Sequence, residues 1–220
     1  MQIKQKLDYP IWKTPYFCIA GLFVFVKLVK AGALTLLINK QFFNKKINLT
    51  LKFFNFIFYI ENKEEIGKKL LSCLIDLGPG YIKFGQALST RPDLVDKRTC
   101  QYLKKLQDDI EPFSSSIAKK IIETESQNLI DNIFSSFDEK PIANASVAQV
   151  HTAILKSGES VAVKLLKPNI RRKLFNDFIF FYWTSKCLEI AIPSIKRLKL
   201  SKNVEVLSEV SLNELDLTLE

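Results

Sequence analysis

The sequence is poor in the residues that build metal and redox sites. It has one histidine, His151, and its four cysteines are widely spaced with no C-x-x-C pair. Zinc sites and thioredoxin-like redox motifs need such residues at short spacing. The pattern therefore disfavours both classes, and no residue is assigned as a metal ligand. The cysteines are predicted to be buried free thiols in a reducing compartment.

The first 60 residues almost lack acidic side chains and contain no arginine. They hold nine lysines against a single acid, Asp8, whereas residues 61–220 hold 23 basic and 22 acidic residues. A nucleic-acid binder carries its charge on the folded domain and uses arginine for phosphate and base contacts. Nucleic acid is therefore not an expected partner. A basic segment rich in Phe, Leu and Ile favours an anionic membrane surface.

No long hydrophobic run is free of charge. Residues 13–40 are predicted to form one helix, with Thr14 as its cap and Pro15 at its first position. Lys27 and Lys30 would each cost about 2.5–3.5 kcal/mol near the bilayer centre, which offsets the apolar residues. An interfacial or protein-buried helix is therefore favoured over a span, and residues 51–60 are too short to span. Two ordinary core helices with snorkelling lysines fit these residues equally well.

Glycine is scarce, yet three of the seven glycines lie within the stretch LGPGYIKFGQALSTRPDL. Residues 61–137 have a helical pattern, in which Pro79 and Gly80 are predicted to open a helix. Lys83 and Gln86, three residues apart, then project from one face. Gly85 between them costs about 1 kcal/mol against alanine unless another segment approaches closely. By themselves these residues also fit a solvated polar pair beside a packing glycine.

The C-terminal part begins with a predicted hairpin. Two β-rich runs, SVAQVHTAIL and SVAVKLLK, are separated by KSGE, whose Gly158 fits a turn. On the second strand Ala162 and Lys164 share one face, opposite the face of its valines. Two helices follow, RRKLFNDFIFFYWTSKCLEIAI to near Pro193 and NVEVLSEVSLNELDLTLE. On the second, Glu209, Asn213, Asp216 and Glu220 would fall on one stripe, which is acidic except for Asn213. The fold class is therefore α+β.

Five segments resemble one family in order and approximate spacing. They are KFGQALSTRPDL, LQDDIEPF, IANASVAQVH, VAVKLLKP and NELDLTLE, and together they resemble the UbiB family of atypical kinase-like proteins linked to ubiquinone biosynthesis. The resemblance covers roughly residues 70–220. Together with the basic, apolar N-terminal segment, it predicts three regions: membrane-proximal helices at 1–60, a helical extension with the Lys-x-Gly-Gln signature at 61–135, and an incomplete kinase-like N-lobe with a β-hairpin and helices at 136–220.

The resemblance also implies the site residues. The nucleotide-binding set would be an alanine-rich loop and the second strand of the hairpin: Ala143, Asn144, Ala145, Ser146, Ala162 and Lys164. The signature residues and their acidic partners would be Lys83, Gly85, Gln86, Glu214, Asp216 and Glu220. In the family such acids pair with the strand lysine or the signature lysine, and we expect Lys164 to pair with Glu220 or Glu214. Asn144 departs from the usual alanine run, and its tolerance of left-handed geometry would preserve the turn.

The resemblance implies ATP and Mg²⁺ as cofactors, yet the residues for catalysis and metal binding are missing. A kinase-like enzyme needs a catalytic-loop Asp and Asn and a D-F-G aspartate, whereas this chain has no glycine after Gly158. We therefore assign no catalytic residue, expect the larger lobe and the C-terminal membrane anchor to be absent, and expect that the chain cannot complete phosphoryl transfer alone.

The implied role is support or regulation of ubiquinone biosynthesis at the cytoplasmic face of a bacterial inner membrane, together with other proteins of that pathway. Two other interpretations fit the sequence. One is a non-catalytic binding module whose C-lobe is a second polypeptide from a split gene. The other is a membrane-surface adaptor in which residues 1–60 matter most.

Overall fold

The computed structural model describes residues 14–37, 45–57, 63–107 and 111–217. They form two compact units. One contains the described residues up to Leu106 and those from Arg171 onward, and the other contains those between Gln107 and Ile170. The first unit is helical and the second carries the β-sheet, so the α+β fold class is confirmed.

Three helices occupy the N-terminal part of the first unit: α1 (Thr14–Lys30), α2 (Ala33–Leu37) and α3 (Lys45–Ile57). The prediction of one continuous helix over 13–40 was wrong, because the chain breaks at Gly32, whose φ of 88° ends the α-helical ladder. Among the described residues, none of the helices combines the length and apolar character needed to cross a bilayer.

Three further helices follow: α4 (Lys63–Leu77), α5 (Pro79–Ser89) and α6 (Lys97–Lys104). Pro79 opens α5 as predicted, after Gly78 with φ of 117°. A side-chain cap holds the start of α6, where Asp96 accepts from the Thr99 N–H at 2.9 Å. Cys73 and Cys100 are buried free thiols as predicted, but the prediction of burial was wrong for Cys18 and Cys187, which are exposed.

The second unit contains α7 (Ser115–Ser126), α8 (Ile130–Ile133) and four strands: β1 (Phe134–Phe137), β2 (Ala143–Asn144), β3 (Ala148–Leu155) and β4 (Ser160–Leu166). All pairings are antiparallel, with β1 and β2 on one edge of β3 and β4 on the other. The core packs α7 against the sheet through Ala118, Ile122, Phe134, Ala153 and Leu165. The hairpin turn contains Gly158 at φ of 93°, as predicted.

The helical prediction for residues 114–137 was wrong at its end. Helix α7 stops at Gln127, which adopts a left-handed φ of 54°. The chain then makes only the single turn of α8 and enters β1, where Phe134 is buried in the sheet core. Burial of Phe134 against β3 therefore overrides the weak helical pattern of these residues.

The C-terminal helices are α9 (Ile170–Ala191), a 3₁₀ segment (Pro193–Leu198) and α10 (Leu200–Asn213). The prediction of a helix over residues 203–220 was wrong for residues 214–217, and residues 218–220 lie outside the described residues. The Leu215 N–H bonds to the Leu212 carbonyl and the Asp216 N–H to the Asn213 carbonyl, so the last turn tightens and Leu215 is buried. Glu214 thus caps α10 and Asp216 lies past its end, while Glu220 lies outside the described residues.

Candidate functional site

The signature helix α5 carries a buried charge. The Lys83 side chain is only 10% exposed and its ammonium forms an ion pair with the Glu214 carboxylate at the C-terminal end of α10. A buried ammonium is costly unless a carboxylate compensates it, so Glu214 makes this position of Lys83 possible. Lys83 is one of the two lysines that, according to the family resemblance, could form an ion pair with these acids. The expected pairing of Lys164 stays a prediction.

Two of the three glycines of the signature stretch, Gly80 and Gly85, lie where neighbouring atoms leave no room for a side chain. A Cβ at Gly80 would lie 2.4 Å from Cβ of Asp177 on α9, and one at Gly85 would lie 2.4 Å from Cδ1 of Leu106 and 2.8 Å from Cδ1 of Leu74. Gln86 completes the contact by donating to the Leu106 carbonyl at 2.8 Å. The helix is therefore packed tightly within its own unit.

Asp177 is a residue that holds the signature helix in place and that the sequence reasoning missed. Its Oδ2 accepts from the Gly80 N–H at 2.9 Å and so caps the start of α5 from another helix. Burial raises the pKa of Asp177 to about 6, although the Gly80 N–H and the charge of Lys173 both act to lower it. Burial, and secondly the Asp177 charge, also raise the pKa of the Tyr81 hydroxyl. A lone acid inside the apolar run LFNDFIFFYW was the available signal.

In the second unit the hairpin places the predicted nucleotide-contacting residues by its register. Val150 on β3 lies between Ala143 on β2 and Lys164 on β4. Since directly paired residues project to the same face of a sheet, Ala143, Val150 and Lys164 form one row. The next row on that face pairs Thr152 with Ala162. The opposite face holds Leu165 in the core.

The other residues of the predicted alanine-rich loop differ from one another in position and burial. Asn144 pairs with Gln149, which pairs with Leu165, so Asn144 projects toward the core face and away from the row of Lys164. Its backbone is part of strand β2 and not left-handed. Ala145 is exposed and its N–H bonds to the Ala148 carbonyl at 2.8 Å, whereas Ser146 is buried.

A series of buried hydrogen bonds lies on the core face of this sheet. The Phe113 N–H donates to Gln149 Oε1 at 3.1 Å, which leaves the Gln149 amide nitrogen to donate to His151 Nε2 at 2.8 Å. The His151 Nδ1–H then donates to the Asp138 carbonyl at 2.8 Å, and Phe137 stacks on the ring. Each polar atom in this series has a partner, so His151 acts as a structural residue here.

ATP and Mg²⁺ make different demands on the residues around this sheet. The face with Ala143, Ala162 and Lys164 fits a nucleotide, because two methyl side chains leave space for a flat base and one ammonium can meet phosphate oxygens. The described residues contain no group of three His, Cys, Asp or Glu side chains close enough to hold a metal ion. No step through Mg²⁺ is assigned to them.

Comparison with known proteins gives a consistent result. Residues 105–220 match the family model described as the ABC1 atypical kinase-like domain. A probable protein kinase UbiB of Aliivibrio fischeri is 42% identical over 168 residues, which are 74% of this chain and 31% of that protein. Proteins of the same name from Shewanella sp. (strain MR-4) and Shewanella baltica are 40% and 39% identical over 170 residues. The chain spans about a third of the length of these relatives.

Proposed function

Because this chain belongs to the ABC1 atypical kinase-like family, as its resemblance to UbiB proteins predicted, we propose that it is the nucleotide-contacting part of a UbiB-type atypical kinase or ATPase. The activity would support or regulate ubiquinone biosynthesis. A second polypeptide, or further sequence of the same protein, would provide the catalytic loop and the ligands for Mg²⁺.

One observation carries the proposal: the register of β2, β3 and β4 puts Ala143 and Lys164 in a single row, with Ala162 on the same face. A strand rises about 3.3 Å per residue, so Ala162 and Lys164 are about 6.6 Å apart along β4. That spacing suits a base against Ala162 and the phosphates beside Lys164. The chain's own part in the reaction would be to bind and orient ATP.

The proposal is tested on the 220-residue chain by titration with the non-hydrolysable ATP analogue AMP-PNP, followed by backbone amide NMR shifts. We expect shifts in residues 143–150 and 162–164 that disappear in Lys164→Ala. The control is Lys156→Ala, an exposed lysine at the turn of the same hairpin, which should keep the shifts. Loss of the shifts in both variants, or in neither, would refute the role of Lys164.

A non-catalytic binding module is the second candidate. Such a module would need no metal ligands of its own among the described residues. A neighbouring reading frame that encodes a catalytic-loop Asn and D-F-G would support a split enzyme, whereas its absence would favour the module. Either form would work with proteins of ubiquinone biosynthesis, and we propose a peripheral position on the cytoplasmic face of the inner membrane.

A further inference from the structure

Helix α1 exposes a stripe of large apolar side chains. Tyr16, Ile19 and Phe23 follow a spacing of three and four residues, so they lie on one face of the helix, and they are 68%, 73% and 59% exposed. Leu22 beside them is also exposed. Exposed large apolar side chains that form a continuous stripe mark an interaction surface.

The opposite face of α1 packs against α9. Phe17 is buried and its ring lies 5.6 Å from the ring of Phe180 and 5.7 Å from that of Trp183, both on α9. A Cβ at Gly21 would lie 3.7 Å from Phe180. These contacts fix the rotation of α1 about its axis, so the Tyr16–Ile19–Phe23 stripe faces away from α9.

Lysines continue the same stripe. Lys27 and Lys30 follow Phe23 by four and seven residues, and the Lys27 ammonium lies 4.9 Å from the centre of the Phe23 ring. Helix α3 has a similar face, on which Leu49 and Phe53 are exposed beside the exposed lysines. Those lysines are Lys45 and Lys52. The surface thus combines apolar side chains with charge of one sign.

The residue types of the stripe indicate which kind of partner it binds. Protein interfaces are depleted in lysine, whereas helices that lie in a bilayer interface combine aromatic and aliphatic side chains with lysines that meet lipid phosphates. We propose that the Tyr16–Ile19–Phe23 stripe docks on an anionic phospholipid bilayer, with α1 in the plane of the headgroups. The inference deepens the peripheral location proposed above and does not involve the sheet that carries Lys164.

The test is co-sedimentation of the 220-residue chain with vesicles of phosphatidylcholine alone or with 30% phosphatidylglycerol. We expect binding to the anionic vesicles, weakened about tenfold or more by Ile19→Ser with Phe23→Ser. Lys27→Gln with Lys30→Gln should weaken it roughly fivefold for each lysine. The control is Leu129→Ser with Ile142→Ser, two equally exposed side chains of the other unit, which should bind as the unaltered chain does.

A second measurement guards against a stripe variant that unfolds. Phe23→Trp should gain fluorescence quenching by brominated phosphatidylglycerol in anionic vesicles, beyond the quenching of the unaltered chain, whereas Leu129→Trp should gain none. Absence of vesicle binding, equal loss in the stripe and control variants, or equal quenching of both tryptophans would overturn the inference. So would a self-association of the chain in solution that the stripe variants abolish. None of these outcomes bears on the nucleotide titration, so the two proposals fail separately.

Discussion

At position 85, the packing around helix α5 leaves room only for glycine. Its position on α5 faces Leu74 and Leu106, both almost completely buried, so their side chains have little room to move. Glycine costs helix stability, and here close packing compensates for that cost. Gly21 on α1 is also in a helix, but its neighbour Phe180 lies at an ordinary contact distance.

Replacing these two helical glycines should therefore have opposite effects. Gly85→Ala is expected to lower the free energy of unfolding by about 1–3 kcal/mol because the added methyl overpacks a filled core. Gly21→Ala is expected to raise it by about 0.5–1 kcal/mol because alanine favours the helix. Urea denaturation monitored by circular dichroism measures both. A stabilising Gly85→Ala would show that the core beside α5 is loosely packed.

Asp177 links stability to pH. In the folded chain burial raises its pKa to about 6 from an ordinary value of 3.8, so the folded state favours the protonated acid. This contribution to stability is complete below pH 4 and is lost as the pH rises through 6. The free energy of unfolding should therefore fall by about 1–2 kcal/mol between pH 4 and pH 6.5 on account of this group.

Asp177→Asn should remove that fall, because the amide oxygen can still accept from the Gly80 N–H but does not ionise in this range. Urea denaturation at several pH values measures the difference. Asp76→Asn, at an exposed position on α4, should leave the fall in place. An equal pH dependence in the unaltered chain and Asp177→Asn would contradict the assignment.

At the scale of elements, the ion pair of Lys83 and Glu214 joins α5 to the end of α10. Its two members differ in burial, since the Lys83 side chain is 10% exposed and that of Glu214 is 44% exposed. Removing Glu214 strands a buried ammonium, whereas removing Lys83 leaves a carboxylate that water can reach. The pair is therefore asymmetric in energy.

We expect Glu214→Gln to lower the free energy of unfolding by about 1–3 kcal/mol, and Lys83→Met to lower it by less. The double variant should be more stable than Glu214→Gln alone, as a double-mutant cycle would measure. Glu139→Gln, which breaks the exposed pair with Lys119, should have no measurable effect. Equal losses for the two single variants would contradict the asymmetry.

Elements with a local signal were predictable from the sequence. The hairpin follows from alternating side chains and Gly158, and the start of α5 follows from Pro79. Strand β1 was missed because Phe134 and Phe137, three residues apart, also fit one face of a helix. The break at Gly32 was missed because the flanking apolar residues continue the helical pattern.

The site was only partly predictable. The register that aligns Ala143 with Lys164 needs strand pairing that the sequence does not specify, although alternation placed Ala162 with Lys164. The contact of Asp177 with Gly80 joins residues 97 positions apart, and no local pattern encodes it. The partner of Lys83 was likewise among several acids that the sequence left open.

At the scale of the whole molecule, the described chain has one helical unit that contains the signature helix and another unit that contains the proposed nucleotide-contacting residues. Its positive charge is concentrated in residues 1–60, which include the apolar stripe of α1. The sequence thus keeps the proposed membrane contacts and the proposed nucleotide contacts in different parts of the chain. Each can be altered without changing the residues of the other.

The most direct measurement of the central claim uses an ATP acyl phosphate, which acylates a lysine lying beside the bound phosphates. Mass spectrometry of the labelled 220-residue chain then reports the acylated positions. We predict that Lys164 is labelled preferentially over Lys156 and that excess ATP suppresses its labelling. Labelling spread evenly over exposed lysines, or labelling of Lys164 that excess ATP does not reduce, would contradict the nucleotide-binding role proposed for the β-sheet.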